Sequence, residues 1–480
     1  MPATLIRNVL LVDGSGEPPR PADVLLRDSL IERVGTLPAE SADTIIDANG
    51  LALAPGFIDS HTHDDTAILH TPQMLPKLSQ GVTTVIAGNC GISAAPVRLR
   101  SDPPDPMNLL GDASTFQYPT FASYVEAVHA ARPAVNIAAF AGHTALRNNH
   151  MDRLDRTATH AEIAAMRVDL QEALDHGALG LSTGLAYLSA FSATTEEVLA
   201  LAETLAAAGA IYATHLRSET EQILAAMDEA FRIGRSSRVP VVISHLKCAG
   251  ITNWGRSGEV LARLDAASTG QTIGCDCYPY AAGSSTLDLR QVDERVKITI
   301  TWSTPHPEQS GKTLAEIAAA WRLSHLEAAK RLQPAGAIYH SISESDMRAI
   351  LSHPATMIGS DGLPLDPHPH PRLWGAFPRV LGRYSRDLGL FPLEEAVRKM
   401  TSLPAARFGL VHRGLVRDGY CADLVLFDPQ LICDTATFEH PAQVAGGIES
   451  VWVNGRLSYS RGAATGDRSG KFIPRGSIIA

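Results

Sequence analysis

Two histidines stand one residue apart in GFIDSHTHDD, His61 and His63, directly behind an apolar run. Imidazole is the commonest metal ligand and the side chain that titrates nearest neutrality, so an H-x-H placed there raises two chemistries, metal binding and proton transfer. Taken alone the pair reads as readily as polar loop as it does as a site. Its weight comes from other runs that end the same way. Asn89 and Cys90 follow VTTVIAG, His215 closes AIYATH, His245 closes VPVVISH with Lys247 two residues on, and Asp361 closes TMIGSD. Imidazole nitrogen, thiolate sulfur and carboxylate oxygen are the donors Zn²⁺ prefers, and three protein ligands leave a position for water. Period-two alternation puts His61 and His63 on one face of their strand, and His245 and Lys247 on one face of theirs.

Other candidates read differently. A free cysteine is usually a small buried hydrophobe, but Cys90 lies in a loop between Gly88 and Gly91, which favours a ligand, whereas Cys275 and Cys277 sit inside an apolar run and read as core. His143, in AGHTALR, stands at a strand end with nothing paired to it by spacing and reads as a residue in or beside the pocket. His368 and His370, in DPHPHPR, read as loop residues held by prolines, and Asp64 and Asp65 as a helix cap and a surface charge.

For these residues to meet, the runs that carry them must be strands of one sheet. Eight such runs can be counted, at 56–61, 82–88, 135–142, 178–183, 210–215, 239–245, 272–278 and 356–361, with alanine- and leucine-rich helical stretches between them such as HAEIAAMRVDLQEALDHG and TEEVLALAETLAAAG. Eight βα units predict an α/β fold of the TIM-type (β/α)8 class, whose active sites lie at the C-terminal ends of the strands. One connection is anomalous: about 80 residues separate the seventh and eighth runs, far beyond a usual βα loop. That predicts an insertion between strands seven and eight, about 285–347, ordered by a helical pair in TLAEIAAAWRLSHLEAAKRL and placed as a lid over the mouth. Residues 1–55 read instead as short strands (TLIRNVLLV, ADVLLRDSLIERVG, TIIDANGLALAPG), and GYCADLVLFDP and IESVWVNGRLSYS repeat the pattern after residue 405. The two ends, 1–55 and 406–480, are expected to form one small β domain, discontinuous in sequence, around a barrel at 56–405.

Composition narrows the partners. A net charge of −10 with no basic run disfavours nucleic acid and anionic lipid surfaces and leaves a small-molecule substrate. The N-terminal stretch lacks the continuous apolar core of a signal peptide, no segment is apolar enough to span a bilayer, and six scattered cysteines suit a reducing compartment. A cytoplasmic monomer or weak homo-oligomer is expected.

The motifs LVDGSGEP, APGFIDSHTHDD, QGVTTVIAGNCGIS, YATHLRSE, VPVVISHLK, CDCYPYAAGS, MIGSDGLP, HPRLWGAFPRVLG and ADLVLFDP run along nearly the whole chain. Together they resemble the amidohydrolase superfamily and, within it, the D-aminoacylase (N-acyl-D-amino acid deacylase) branch. In dinuclear relatives a carboxylated lysine ends strand four; ALGLSTGL has none, and Cys90 is the natural substitute. The resemblance implies a tightly held zinc on Cys90, His215 and His245, a second, weaker metal position on His61 and His63, and Asp361 as catalytic acid/base. It also implies that Lys247, Tyr278 and Arg372 hold the substrate carboxylate, with Ser284 and the insertion shaping the pockets. The reaction implied is zinc-dependent hydrolysis of an N-acyl-D-amino acid to a carboxylate and a free D-amino acid. The preference for the D form comes from the resemblance alone. Three other readings stand beside it: a deacylase restricted to N-acyl-D-glutamate or N-acyl-D-aspartate, recognisable by an extra positive charge in the side-chain pocket; a hydantoinase-like amidase, disfavoured by the missing lysine; and a metal-free scaffold, disfavoured by the retained ligands.

Overall fold

All eight runs form parallel strands in the computed structural model, which describes residues 3–39 and 42–476. The strands are Phe57–Asp59, Val82–Ala87, Asn136–Ala139 continued by Ala141–Gly142, Gly180–Gly184, Ile211–His215, Val241–Ile243, Ile273–Cys277 and Thr356–Ile358. The third strand breaks at Phe140, and its second piece carries the pairing across to the fourth. The first and eighth strands close the ring through Ser60 N donating to the Ile358 carbonyl at 3.2 Å and Asp361 N donating to the His61 carbonyl at 2.8 Å.

Strand alternation decides what faces the middle. Ile58, Ile86, Ala138, Ala213, Val242 and Met357 form one cluster, while their neighbours Phe57, Val85, Ile137, Tyr212, Val241 and Ile358 pack in another with the surrounding helices. Cys275 and Cys277 belong to the helix-facing set, as their place inside a strand leads one to expect, so Asp276 between them takes the inward position. The helix His160–Asp175 begins in a capping box: Glu162 N donates to Thr159 Oγ1 at 3.3 Å and Thr159 N to the Glu162 carboxylate at 2.7 Å. Thr195–Ala208 ends at Gly209, whose φ of 60° closes the last turn.

Both chain ends contribute to a single nine-stranded sheet. Its central contact is Leu424–Phe427 running antiparallel to Ala52–Pro55. Two of the terminal runs subdivide. ADVLLRDSLIERVG folds back on itself, because Asp28 adopts φ 54° and turns Arg20–Arg27 onto Leu30–Gly35; TIIDANGLALAPG breaks at DANG into Thr44–Asp47 and Ala52–Pro55. Of the stretches assigned to the small β domain, residues 1–2, 40–41 and 477–480 lie outside the described residues.

Between Cys277 and Thr356 the chain builds a three-stranded antiparallel sheet from Gly283–Thr286, Ile298–Ser303 and Ala335–Tyr339, with the helices Leu314–Trp321 and His325–Leu332 joining the second of these strands to the third. Leu287, Ile298, Ile300, Leu314, Ile317 and Ala337 give this segment its own apolar core. Among the described residues no helix is long and apolar enough to cross a membrane.

Candidate active site

The strand ends open into a cavity of about 910 Å³ lined by His63, His215, His245, Lys247, Tyr278, Ser284 and Asp361 among others. Cys90 lies below it, at φ 54° in a loop that bends hard against the neighbouring strands. A Cβ on Gly88 would meet the Phe140 carbonyl at 2.2 Å, and one on Gly91 the backbone N of Gly184 at 2.7 Å. The two glycines therefore let the loop sink far enough for the Cys90 sulfur to reach the barrel axis. Its Sγ is 3.3 Å from His61 Nε2 and 3.2 Å from His245 Nε2.

The other donors gather around that pair. Asp361 Oδ1 lies 3.2 Å from His63 Nε2 and 3.6 Å from His61 Nε2. His215 packs edge-on against His245, ring centroids 4.5 Å apart, and its Nε2 is 3.6 Å from Glu219. Three overlapping groups result, His61 with Cys90 and His245, His61 with His63 and Asp361, and His215 with Glu219 and His245, the donor atoms within each lying within 4.8 Å of one another. The expected division into a tight set and a separate His61/His63 set is thus blurred: Cys90 lies as close to His61 as to His245.

Charge follows from this crowding. Burial would push the Cys90 thiol up, but the His61 and His245 imidazoles overcome it and hold the group well below its ordinary value, in the thiolate form that binds metal. Burial likewise opposes ionisation of Asp361, and Arg372, 2.9 Å away, together with His245 and His63 holds its carboxyl well below the usual carboxylate range. His63 Nδ1 and His215 Nδ1 are buried without a hydrogen-bond partner. Thiolate, imidazoles and a carboxylate converging with unpartnered ring nitrogens fit a zinc ion.

Of the expected substrate-binding residues, Lys247, Tyr278 and Ser284 line the cavity, while Arg372 is buried behind the lining. The Arg372 guanidinium lies over the Tyr278 ring at 4.6 Å and donates to the Ser284 carbonyl at 3.0 Å. The hydroxyls of Tyr278 and Ser284 are buried and unpartnered, pointing to a ligand rather than to packing. Neither cation stands unpaired: Arg372 touches Asp361, and Lys247 Nζ is 2.6 Å from Glu219 and 2.8 Å from His245 Nδ1.

Several residues differ from their sequence reading. Asp64 and Asp65 are neither cap nor surface charge; both are buried. Asp64 pairs with Lys77 at 3.1 Å, and burial pushes the Asp65 carboxyl up to about 6. His370 is buried, its Nε2 on the Ala282 carbonyl at 3.1 Å and its Nδ1 accepting from Arg372 N at 2.9 Å, so it fixes the start of the helix that carries Arg372. His143 lies outside the cavity lining, bonded at 3.0 Å to Glu197, which also pairs with Arg147. Two acids escaped the sequence reading. Asp276 accepts from His245 N at 2.8 Å and faces His61 Nδ1 at 3.3 Å, and Glu219 faces His245 Nδ1 at 3.0 Å. Asp276 had a signal, an acid alternating with core cysteines in TIGCDCY; Glu219, four residues past His215 in a loop, had none.

Lys77 ties the first and eighth strand ends together beneath the site. It is wholly buried, 2.8 Å from Asp59, 3.1 Å from Asp64 and 3.0 Å from Ser360 Oγ, while Asp59 Oδ1 accepts from Ser360 N at 2.7 Å. Lys77→Met would leave two acids buried without a cation, and the expected loss is about 3 to 5 kcal/mol of stability. Chemical denaturation reads it; a change below about 1 kcal/mol would remove the structural role.

Residues 44–459 match the model of the amidohydrolase family. A D-aminoacylase of Alcaligenes xylosoxydans xylosoxydans is 51% identical over 471 residues, 98% of this chain and 97% of that protein. A solved D-aminoacylase, studied for the role of its binuclear metal centre with activation by one metal and attenuation by a second, superposes with TM-score 0.96 at 50% identity, covering 98% of this chain and 99% of that one. The N-acyl-D-glutamate deacylase of Bordetella bronchiseptica, solved with zinc and a phosphonate mimic of the tetrahedral intermediate, gives TM-score 0.95 at 44% identity, covering 98% and 99%.

Proposed function

The chain belongs to the amidohydrolase family, and from that premise we infer that it is an N-acyl-D-amino acid deacylase, hydrolysing the amide to a carboxylate and a free D-amino acid. The observation that carries this is the Cys90 thiolate between His61 and His245 with Asp361 beside it, in a chain that matches a D-aminoacylase over nearly its full length. Cys90, His215 and His245, with His61 and His63 beside them, would hold zinc, which when bound polarises an amide carbonyl and makes water acidic enough to act near neutral pH. One tightly held ion with a weaker second position on His61 and His63 is the occupancy we favour.

The remaining work falls to side chains of the chain itself. Asp361, ionised and facing His63, accepts a proton from water at its carboxylate and returns it to the departing amide nitrogen. Arg372, Tyr278 and Lys247 bind the α-carboxylate, the Tyr278 hydroxyl and the Ser284 Oγ supplying hydrogen bonds they do not make within the protein. That binding needs Lys247 to share itself between Glu219 and the incoming carboxylate. Glu219 and Asp276 are positioning residues for His245 and His61.

The cavity's charge balance supports neutral over acidic amino-acid side chains. Apart from Lys247, its lining cations are Arg217 and Arg290; Arg217 makes two 2.8 Å contacts with Glu229, and Arg290 lies 2.7 Å from Asp288. A second substrate carboxylate would have to compete with these acids for its partner, which favours neutral side chains over restriction to N-acyl-D-glutamate or N-acyl-D-aspartate. The inserted segment, with Ser284, Leu287 and Leu289 on the cavity wall, serves as a lid in this reading. Initial rates on N-acetyl-D- and L-methionine, leucine, glutamate and aspartate test it: D-methionine and D-leucine derivatives should lead, and equal or faster cleavage of the L series would overturn it.

Arg372 gives a sharper test of the binding geometry. Arg372→Ala should weaken kcat/KM for the free acid by an amount equivalent to about 2 to 5 kcal/mol, and much less for the corresponding N-acyl-D-amino acid amide, which lacks the carboxylate from the start. Equal losses on both substrates would remove Arg372 from carboxylate recognition.

A further inference from the structure

An N-acetyl amino acid has about a dozen non-hydrogen atoms, whereas a cavity of about 910 Å³ stands near the top of the roughly 300 to 1,000 Å³ range that accommodates drug-sized ligands. The surplus space has an apolar rim. Leu188 and Phe191, the first and last residues of a four-residue helix, both line the cavity, yet they remain 60% and 49% exposed. Single exposed apolar residues need no account. Two of them on one short helix, at the mouth of the catalytic cavity with Leu289 of the insertion also on its wall, form a surface that lacks a partner.

The rim is held in place from both sides. Arg290 donates to the Ala186 carbonyl at 3.0 Å and lies over the Phe191 ring at 5.7 Å, while Tyr187 Oη is 3.5 Å from Ser285 Oγ. Arg290 is paired with Asp288, so it presents no unmatched cation at this edge. Its inner end is Tyr187, whose ring packs on His215 at 4.9 Å.

That placement assigns the arm of the substrate. With the carboxylate at Tyr278 and Arg372, the amino-acid half occupies that wall, and the scissile carbonyl faces the histidine cluster. The other substituent of the carbonyl carbon then leaves past His215 and along Tyr187 toward Leu188, Phe191 and Leu289. We propose that this rim is an acyl subsite, and that the enzyme takes N-acyl-D-amino acids with extended aliphatic or aromatic acyl groups in preference to N-acetyl derivatives. The inference rests on the deacylase reading above and extends it to the acyl half of the substrate.

The test is kcat/KM for N-acetyl-, N-butyryl-, N-hexanoyl- and N-octanoyl-D-methionine, kept below their aggregation concentrations. Burial of successive methylenes should raise it by roughly two- to fourfold per CH₂ until the chain clears Phe191. Phe191→Ser and Leu188→Ser, both at exposed positions, should lower the octanoyl-to-acetyl ratio by about tenfold or more, because a polar side chain removes apolar contact from the outer part of the chain alone. A flat or falling series in the wild type, or a ratio unchanged in both variants, would overturn the acyl subsite while leaving the deacylase reading intact. Failure to cleave any D-substrate, N-acetyl included, would overturn both. A flat series together with concentration-dependent self-association that Phe191→Ser abolishes would assign the rim to contact between copies instead.

Discussion

Asp361→Asn is expected to keep its fold and its zinc and to lose turnover by at least roughly 10²- to 10⁴-fold, the range for a positioned acid/base. The amide is nearly isosteric with the carboxylate, and Asp361 N donates to the His61 carbonyl whatever the side chain, so the contact that orients the eighth strand end survives even as the ion pair with Arg372 is lost. What disappears is a group that can both take and return a proton. Arg372 and the neighbouring histidines hold the Asp361 carboxyl well below the usual range against the effect of burial. The base is therefore ionised at ordinary pH, and its protonation as pH falls gives wild-type activity an acidic limb. In Asp361→Asn this acidic limb should vanish from whatever rate remains. Near-normal turnover with an unchanged limb would place water activation elsewhere. Loss of zinc would make Asp361 chiefly a ligand.

Much of this frame was legible because it depends on short-range rules. Strand runs and the helical stretches between them are read from neighbours in sequence, and five of the strand ends carried their chemistry with them. What sequence could not supply was whatever depends on the third dimension. Asp64 looks like a helix cap until Lys77, on the helix Leu75–Leu78, buries with it. Glu219 looks like a loop acid until the sixth strand brings His245 and Lys247 to it. His370 looks like a proline-bound loop residue until Ala282 of the inserted segment and the backbone of Arg372 take both its ring nitrogens. Each partner lies far enough along the chain, or in a loop irregular enough, that no periodicity connects the two. The same holds for the crowding of His61 against Cys90. Spacing places them on adjacent strands, but only the depth of the Gly88–Gly91 loop sets their separation.

That depth makes Cys90 the residue whose removal should cost the most metal. Cys90→Ala takes away the sole thiolate of the donor cluster and leaves a cavity of about one sulfur atom in a buried loop, a change the fold tolerates at a cost of a few kcal/mol or less. Residues that merely support a ligand typically weaken metal affinity by about 10- to 100-fold when replaced, so loss of a direct ligand should exceed that. Purified Cys90→Ala should therefore carry little zinc by elemental analysis and show no deacylase activity above background, and His215→Ala should match it. His61→Ala provides the discriminating comparison. If Cys90, His215 and His245 form the tight set, His61→Ala keeps most of its zinc and changes the rate, even though His61 Nε2 lies only 3.3 Å from the sulfur. Full zinc in Cys90→Ala would dismiss the thiolate as a ligand. Equal depletion in Cys90→Ala and His61→Ala would instead mean that the crowded donors act as one indivisible centre, with His61 binding the same ion as Cys90 and held on it by Asp276.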